Sequence, residues 1–327
     1  MDNVQDHYLT RIIGISFDTA VARAVGGTSL KMAHGSGEVM FLIPATDVLF
    51  MGFGFYTIDS TPPISWSFVQ FLDDATEQCD LHLRTTGKLA IYRATTLLGE
   101  TADAVISDNT WHYIELKITI ANTLGAGGIS VKVDGVEVLV INTGDSQVGA
   151  AQCTEVKVIG HANSQPRYDD IYICDDAGAS NNTFLGQVYV KTLSPTGEGN
   201  TNDFVGADAD SNDNHLQVDD TSTLDDDTTY VESGTLNAID QYNFADMPLG
   251  TVHGVAVVAV ARNASAGDTV TAKPSIRSAG TDYLGTEFYV GNTYEGYQEI
   301  FETDPATSAQ WAKAGVDAAN FGLKITG

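Results

Sequence analysis

The stretch WHYIELKITIANTLGAGGISVKVDGVEVLVI, residues 111–141, decides the fold. In its first arm Trp111, Tyr113, Glu115, Lys117 and Thr119 fall on one side, and His112, Ile114, Leu116, Ile118 and Ile120 on the other. That period of two is the mark of a β-strand with one buried face. After a glycine-rich connection, Ile129, Val131 and Val133 alternate with Ser130, Lys132 and Asp134. Asp134-Gly135 then separates this run from Val136, Val138 and Val140, and Asp-Gly supplies the positive φ angles of a type I′ hairpin turn. The reading is an antiparallel sheet with one wet face.

The same pattern recurs outward along the chain. Strands are expected over 39–44, 48–58, 65–72, 79–85, 88–94, 154–160, 169–175 and 186–193, then over 253–264, 269–278 and 286–291. Short strands at near-regular spacing, with Gly, Asn and Asp between them, indicate a β-sandwich or jelly roll. One helix is expected near the C-terminus. Pro305 with Thr307 or Ser308 would start it, Trp311, Gly315, Val316 and Ala319 would line its buried face, and Gly322 would stop it.

A boundary is expected at Leu193-Ser194-Pro195, giving domains 1–193 and 194–327. Residues 194–227 are poor in large apolar side chains and carry nine aspartates with no Lys or Arg. Across 194–327 there are 21 acids against 5 bases, so the second domain is the more acidic.

Composition excludes several classes of partner. A net charge of −27 argues against a grip on nucleic-acid phosphates or an anionic membrane surface, both of which need clustered Lys and Arg. No apolar run is long enough to cross a bilayer, and MDNVQDHYLTRIIG does not read as a secretory signal. The expectation is a soluble chain made in a cytoplasm. Cys79, Cys153 and Cys174 lie far apart without metal-type spacing and are expected as buried free thiols.

WHYIEL, the VKVDGVEVL hairpin and YDDIYICDDAGASNNTFLGQVYVKTLSPTGEGN together resemble the concanavalin A-like, laminin-G-like sandwich of tailed-phage virion proteins. RSAGTDYLG (277–285), residues 297–325 and DDTTYVESG (226–234) resemble the domain that follows it in that family, with Asp6-His7-Tyr8 and residues 26–30 as lesser matches. The resemblance implies an all-β chain: a concanavalin A-like jelly-roll sandwich, then a second, smaller β-sandwich domain with a short C-terminal helix. It also implies a non-catalytic bacteriophage structural role in head decoration, tail or fibre, located in the virion. Capsid, tail or fibre subunits would be its partners, with self-association in the particle. A second reading is a lectin-like module that binds a host-surface glycan, for which Trp66, Tyr92 and Tyr168 are candidate stacking aromatics and core packing is the competing assignment.

Chemical motifs are sparse. Concanavalin A-like glucanases carry two carboxylates on one strand, about 5–5.5 Å apart. The nearest counterpart, Glu302-Thr303-Asp304, is followed by Pro305 and has Thr307 where a second glutamate belongs, so no catalytic set is assigned. Asp169, Asp170, Asp175 and Asp176 bracket a strand and read as turn caps, with calcium as the sharper alternative. Asp208, Asp210, Asn212, Asn214 and Asp219 follow EF-hand alternation and are the weak calcium candidates, although Asp213 occupies the glycine position. His7, His34, His82, His112, His161, His215 and His253 are scattered, with no Ser-His-Asp order that local spacing recommends. No cofactor is expected beyond that calcium alternative.

Overall fold

The computed structural model describes residues 9–13, 16–24, 27–32, 37–122, 126–142, 144–220, 224–265 and 267–327. Asp6-His7-Tyr8, Gly26 and His34 lie outside the described residues, as do residues 123–125 of the opening stretch. The chain divides into two compact units between Val190 and Lys191.

The first unit holds β1 (Leu9–Ile13), β2 (Ser16–Asp18), β3 (Ser29–Lys31), β4 (Glu38–Thr46), β5 (Val48–Tyr56), β6 (Trp66–Asp73), β7 (Thr76–Leu83), β8 (Leu89–Arg93), β9 (Thr96–Glu100), β10 (His112–Thr119), β11 (Gly128–Val133), β12 (Val136–Ile141), β13 (Cys153–Ile159) and β14 (Arg167–Asp175), of which β1, β2, β3 and β9 are not among the expected strands. They pair as two antiparallel seven-stranded sheets. The first runs β1-β4-β13-β6-β7-β8-β9 and the second β12-β11-β10-β5-β14-β3-β2. Phe68, Phe71, Leu81, Ile91 and Val156 of the first sheet meet Met51, Phe53, Phe55, Ile114 and Leu116 of the second in one buried core. The fold is the all-β sandwich that the alternation predicts, and the Asp134-Gly135 turn has φ of 52° and 80°.

Bulges adjust this register. Between Ser67 and Val69 of β6 an extra residue, Phe68, is inserted opposite β7. Phe68 O then accepts a hydrogen bond at 3.1 Å from the hydroxyl of Tyr168, a core side chain that also reaches Ile159 O at 2.9 Å. Trp66 is likewise buried and stacks on the ring of His161.

The expected wet face of the 111–120 strand is not wet. Tyr113 is 1% and Glu115 2% exposed, because the outer side of the second sheet is covered by a strap at 184–190. Leu185 N donates to Tyr172 Oη, Gly186 N and Tyr172 Oη donate to Glu115 Oε1, and Val190 N donates to Asp170 Oδ1. Arg23 reaches Val188 O and Asp170 Oδ2 and lies over the rings of Tyr113 and Tyr189. This strap is the segment expected as a strand at 186–193. It forms no ladder because side chains of the covered sheet satisfy its backbone groups instead.

The second unit is built on a six-stranded sheet. Pro195–Asn202, Ile239–Phe244, Asn320–Ile325, Val270–Ser278 and Thr281–Leu284 follow one another across it, with Phe288–Val290 also on Val270–Ser278. A ribbon of Val255–Ala261 with Glu295–Phe301 supplies Val255, Val257 and Phe301 to a core that includes Ile276, Trp311, Val316, Ala319 and Phe321. The expected C-terminal helix shrinks to α1, Lys313–Asp317. Residues 305–308 instead form a turn between Thr303–Asp304 and Ala309–Gln310, held by Asp304, whose Oδ1 accepts from Ala306 N at 3.0 Å. Gly322 does not end a helix either. It lies in a strand where a Cβ would stand 1.8 Å from Asp240 O, so only glycine fits.

Replacing Tyr168 by Phe tests the bulge anchor. The variant removes the one hydroxyl proton shared by the buried Phe68 carbonyl and the part-buried Ile159 carbonyl, and stability is expected to fall by about 1–3 kcal/mol in chemical denaturation. An unchanged midpoint would show that the anchor is dispensable.

Candidate functional site

With the second sheet covered by the strap, the outer face of the first sheet is where the sandwich presents a row of polar side chains. Lys157 of β13 stands opposite Gln70 of β6, which stands opposite Asp80 of β7, which stands opposite Tyr92 of β8. Adjacent strands are about 4.8 Å apart, so the row runs roughly 14 Å across the sheet. Ser67 and His82 form the next pair along, and Leu72 and Glu77 the pair on the other side. The alternate positions Cys79, Leu81 and Leu83 enter the core, which is what turns Asp80 and His82 outward.

His82 is the focus. Its Nε2 lies 2.5 Å from Asp80 Oδ2 and its Nδ1 3.2 Å from Ser65 Oγ, and its ring centroid is 4.5 Å from that of Tyr92. The Arg84 guanidinium lies 5.6 Å from the same Tyr92 ring. Asp80 is 3% exposed, and its Oδ1 has no hydrogen-bond partner among the described residues. A buried carboxylate fixed on one imidazole nitrogen orients the ring.

Glu77 completes the row. Gln70 Nε2 donates to its Oε2 at 2.6 Å, yet burial, and next the charge of Asp80, push the Glu77 carboxyl above the ordinary glutamate range against the opposing pull of His82, Lys157 and that bond. Carboxyl, imidazole, phenol and amide thus stand together on one face, able to hydrogen-bond a polar ligand and to move a proton.

Of the residues named from sequence, Tyr92 and His82 lie on this face and the others fall elsewhere. Tyr92 is on the row, whereas Trp66 and Tyr168 are buried in the core. Asp208 and Asp210 make local turns, accepting from Asp210 N and Asn212 N, and Asp219 is exposed. Asn214 is 1% exposed and donates inward to Asn202, Phe204 O and Asp240. Among the described residues no group of three or more His, Cys, Asp or Glu is arranged to hold a metal. Asp304 of the glucanase-like triplet caps its own turn. Asp169 and Asp170 serve buried contacts, accepting from Arg23 N and from Arg23 Nη1 with Val190 N, while Asp175 caps Ala177 N. His112 pairs with Asp134 and His215 with Glu198, and burial lowers the pKa of His161 and of His253. Cys79 and Cys153 are buried free thiols, burial lifting Cys79 well above the ordinary thiol range and Cys153 up to about 11. Cys174 is half-buried, not buried as expected, with its Sγ toward Thr183 O.

No family model matches the chain, and no curated protein matches it. Among solved structures it is similar to an endo-β-1,4-glucuronan lyase from the fungus Trichoderma reesei, at a TM-score of 0.40 and 16% identity over 51% of this chain and 91% of that one. The cellulose-induced protein Cip1 follows, at 0.39 and 15% over 53% and 88%. A Trypanosoma rangeli sialidase is matched at 0.34 and 14% over 49% of this chain and 27% of that one. At these identities the likeness is one of fold. Against the expectations of a non-catalytic bacteriophage structural role and of no enzymatic activity, the solved structures that the fold resembles are named otherwise. Two of the three are enzymes by name, and none of the three is a virion protein.

The raised pKa of Glu77 has a measurable sign. The folded chain holds this proton to higher pH than the unfolded chain, so the contribution of Glu77 to stability falls as pH rises from the ordinary glutamate range through the raised value. Glu77→Gln removes that loss, and its melting temperature relative to wild type is expected to rise between pH 4 and pH 7. Parallel pH curves for the two proteins would refute the assignment.

Proposed function

We propose that the first unit binds a polysaccharide along the Lys157–Gln70–Asp80–Tyr92 row and processes it, with His82 as the group that takes up and returns a proton. The observation that carries this reading is His82 itself. It is held at one nitrogen by a buried carboxylate and packed at its face by Tyr92, on a polar sheet face. An imidazole so oriented works as a general base. The half-buried phenol of Tyr92 offers a surface with an apolar body and a polar tip, suited to a sugar ring that has an apolar face and hydroxyl edges. Gln70, with an amide that both donates and accepts, and Lys157, with three donors, supply hydrogen bonds along the chain. Glu77, keeping its proton to higher pH than an ordinary glutamate, extends the range over which it donates to a sugar oxygen. The net charge of −27 repels polyanions at a distance, so the polysaccharide taken is a neutral one.

The test is electrophoresis of the full chain through gels containing xylan, mannan or β-glucan, with alginate as a charged comparison. Retardation in at least one neutral gel is expected. Tyr92→Ala should weaken it at least tenfold, while Tyr289→Ala, an exposed aromatic of the second unit, should leave it unchanged. Product release from the retained polysaccharide should drop on the order of 10²–10⁴-fold in His82→Ala. Wild-type migration unaffected by every polysaccharide would end this reading.

A further inference from the structure

His82 Nε2 faces a carboxylate, and a carboxylate only accepts, so the ring proton sits on Nε2 and the basic lone pair is left on Nδ1. What Nδ1 faces, at 3.2 Å, is the hydroxyl of Ser65. Ser65 is exposed and stands immediately before β6, one residue beyond the Pro62-Pro63-Ile64 segment. The loop leading to it is tied down: Thr57 Oγ1 donates to Ser164 O, Ser60 N donates to Asp108 Oδ1, and Thr61 N donates to Asp59 Oδ1. Hydroxyl, imidazole and buried carboxylate therefore form a continuous chain, with the hydroxyl at the solvent end and the carboxylate 3% exposed at the other. A serine whose proton is accepted by such a base is an activated nucleophile. A cation on the same face is Arg84, whose guanidinium lies 5.6 Å from the Tyr92 ring that His82 packs on and 3.9 Å from Glu100.

We propose that Ser65, His82 and Asp80 form a nucleophilic relay that hydrolyses O-acyl esters carried by the polysaccharide bound on this face, an assignment that rests on the glycan reading above. His82 Nδ1 takes the Ser65 hydroxyl proton as Oγ bonds to the ester carbonyl carbon. The carbonyl oxygen gathers negative charge beside Arg84. The C–O bond to the sugar then breaks, the sugar oxygen leaves with the proton from His82, and an acyl-Ser65 ester remains. Water, deprotonated by His82, attacks that ester. The carboxylic acid departs and Ser65 Oγ recovers its proton, so no oxidant or further reactant is consumed. Asp80 acts through His82 as a positioning residue.

The experiment is covalent labelling of the full chain with an alkyl fluorophosphonate, read by intact mass and peptide mapping, beside hydrolysis of p-nitrophenyl acetate and acetylated xylan. One label on Ser65 is expected. It should be absent in Ser65→Ala, slowed at least a hundredfold in His82→Ala, and shifted in its pH dependence in Asp80→Asn. Ser65→Ala should keep the wild-type melting temperature and polysaccharide retardation, which separates loss of chemistry from loss of fold. An unlabelled wild type, or equal labelling of Ser65→Ala, overturns the relay. Retardation by polysaccharide without labelling overturns the relay and spares the glycan reading. Labelling of Ser65 without retardation keeps the relay as a nucleophile and overturns the polysaccharide ester as its substrate.

Discussion

The first unit depends on β5 being buried on both of its sides. Leu49, Met51, Phe53 and Phe55 fill the core on one side, while Gly52 and Gly54 on the other leave the backbone bare. A Cβ on Gly52 would lie 2.1 Å from the Tyr172 ring, and one on Gly54 2.8 Å from Arg23. Only because both positions lack side chains can Tyr172 and Arg23 lie flat on the sheet and carry the strap across it. Glu115, desolvated beneath them, is tolerable because Tyr172 and Gly186 hydrogen-bond to it. Closing this face makes the sandwich asymmetric, and the polar row on the other sheet follows from that asymmetry.

On the open sheet the same physics runs in the opposite direction. Asp80 is buried although its neighbours face solvent, and it keeps His82 as its one hydrogen-bonded partner at Oδ2 while Oδ1 has none among the described residues. Such a group costs folding free energy, of order 1–3 kcal/mol for an unsatisfied buried acceptor. A sheet selected for stability alone would place threonine or valine there. Local violations of the packing rules of this kind gather where side chains are held for chemistry.

Much of the fold was legible in the sequence and little of the site. The hairpin at Asp134-Gly135 and the longer strands β4 to β8 and β10 to β14 were readable because their apolar alternation is carried by β-branched and aromatic residues over five or more positions, while β1, β2, β3 and β9 were not. The strap was not, since Gly186-Gln187-Val188-Tyr189-Val190 alternates like a strand while its partners are side chains far away in sequence. The C-terminal segment has its apolar residues where a helix would put them, and Trp311, Val316 and Ala319 do share one core, but Asp304 captures the preceding residues into a turn first. The site was hidden by bulges. Glu77 opposes Leu72 while Cys79 opposes Phe71, so one extra residue shifts the phase and brings Glu77 and Asp80 to one face. Ser65 and His82 meet only through the β6–β7 pairing, a register that local spacing does not reveal. The signal that was present lay in CDLHL, where an acid and a histidine alternate with core residues.

The placement of the thiols gives the chain a built-in gauge of its own integrity. All three cysteines lie in the first 174 residues, so thiol chemistry reports on the sandwich and is silent about the acidic second unit. Cys174 stands half-open at the end of β14, while Cys79 and Cys153 are sealed in the core with their thiolates disfavoured by burial. Reaction with an alkylating agent therefore divides into one prompt event and two that wait for the sheets to part. The ratio of those rates is a direct reading of how often the sandwich opens.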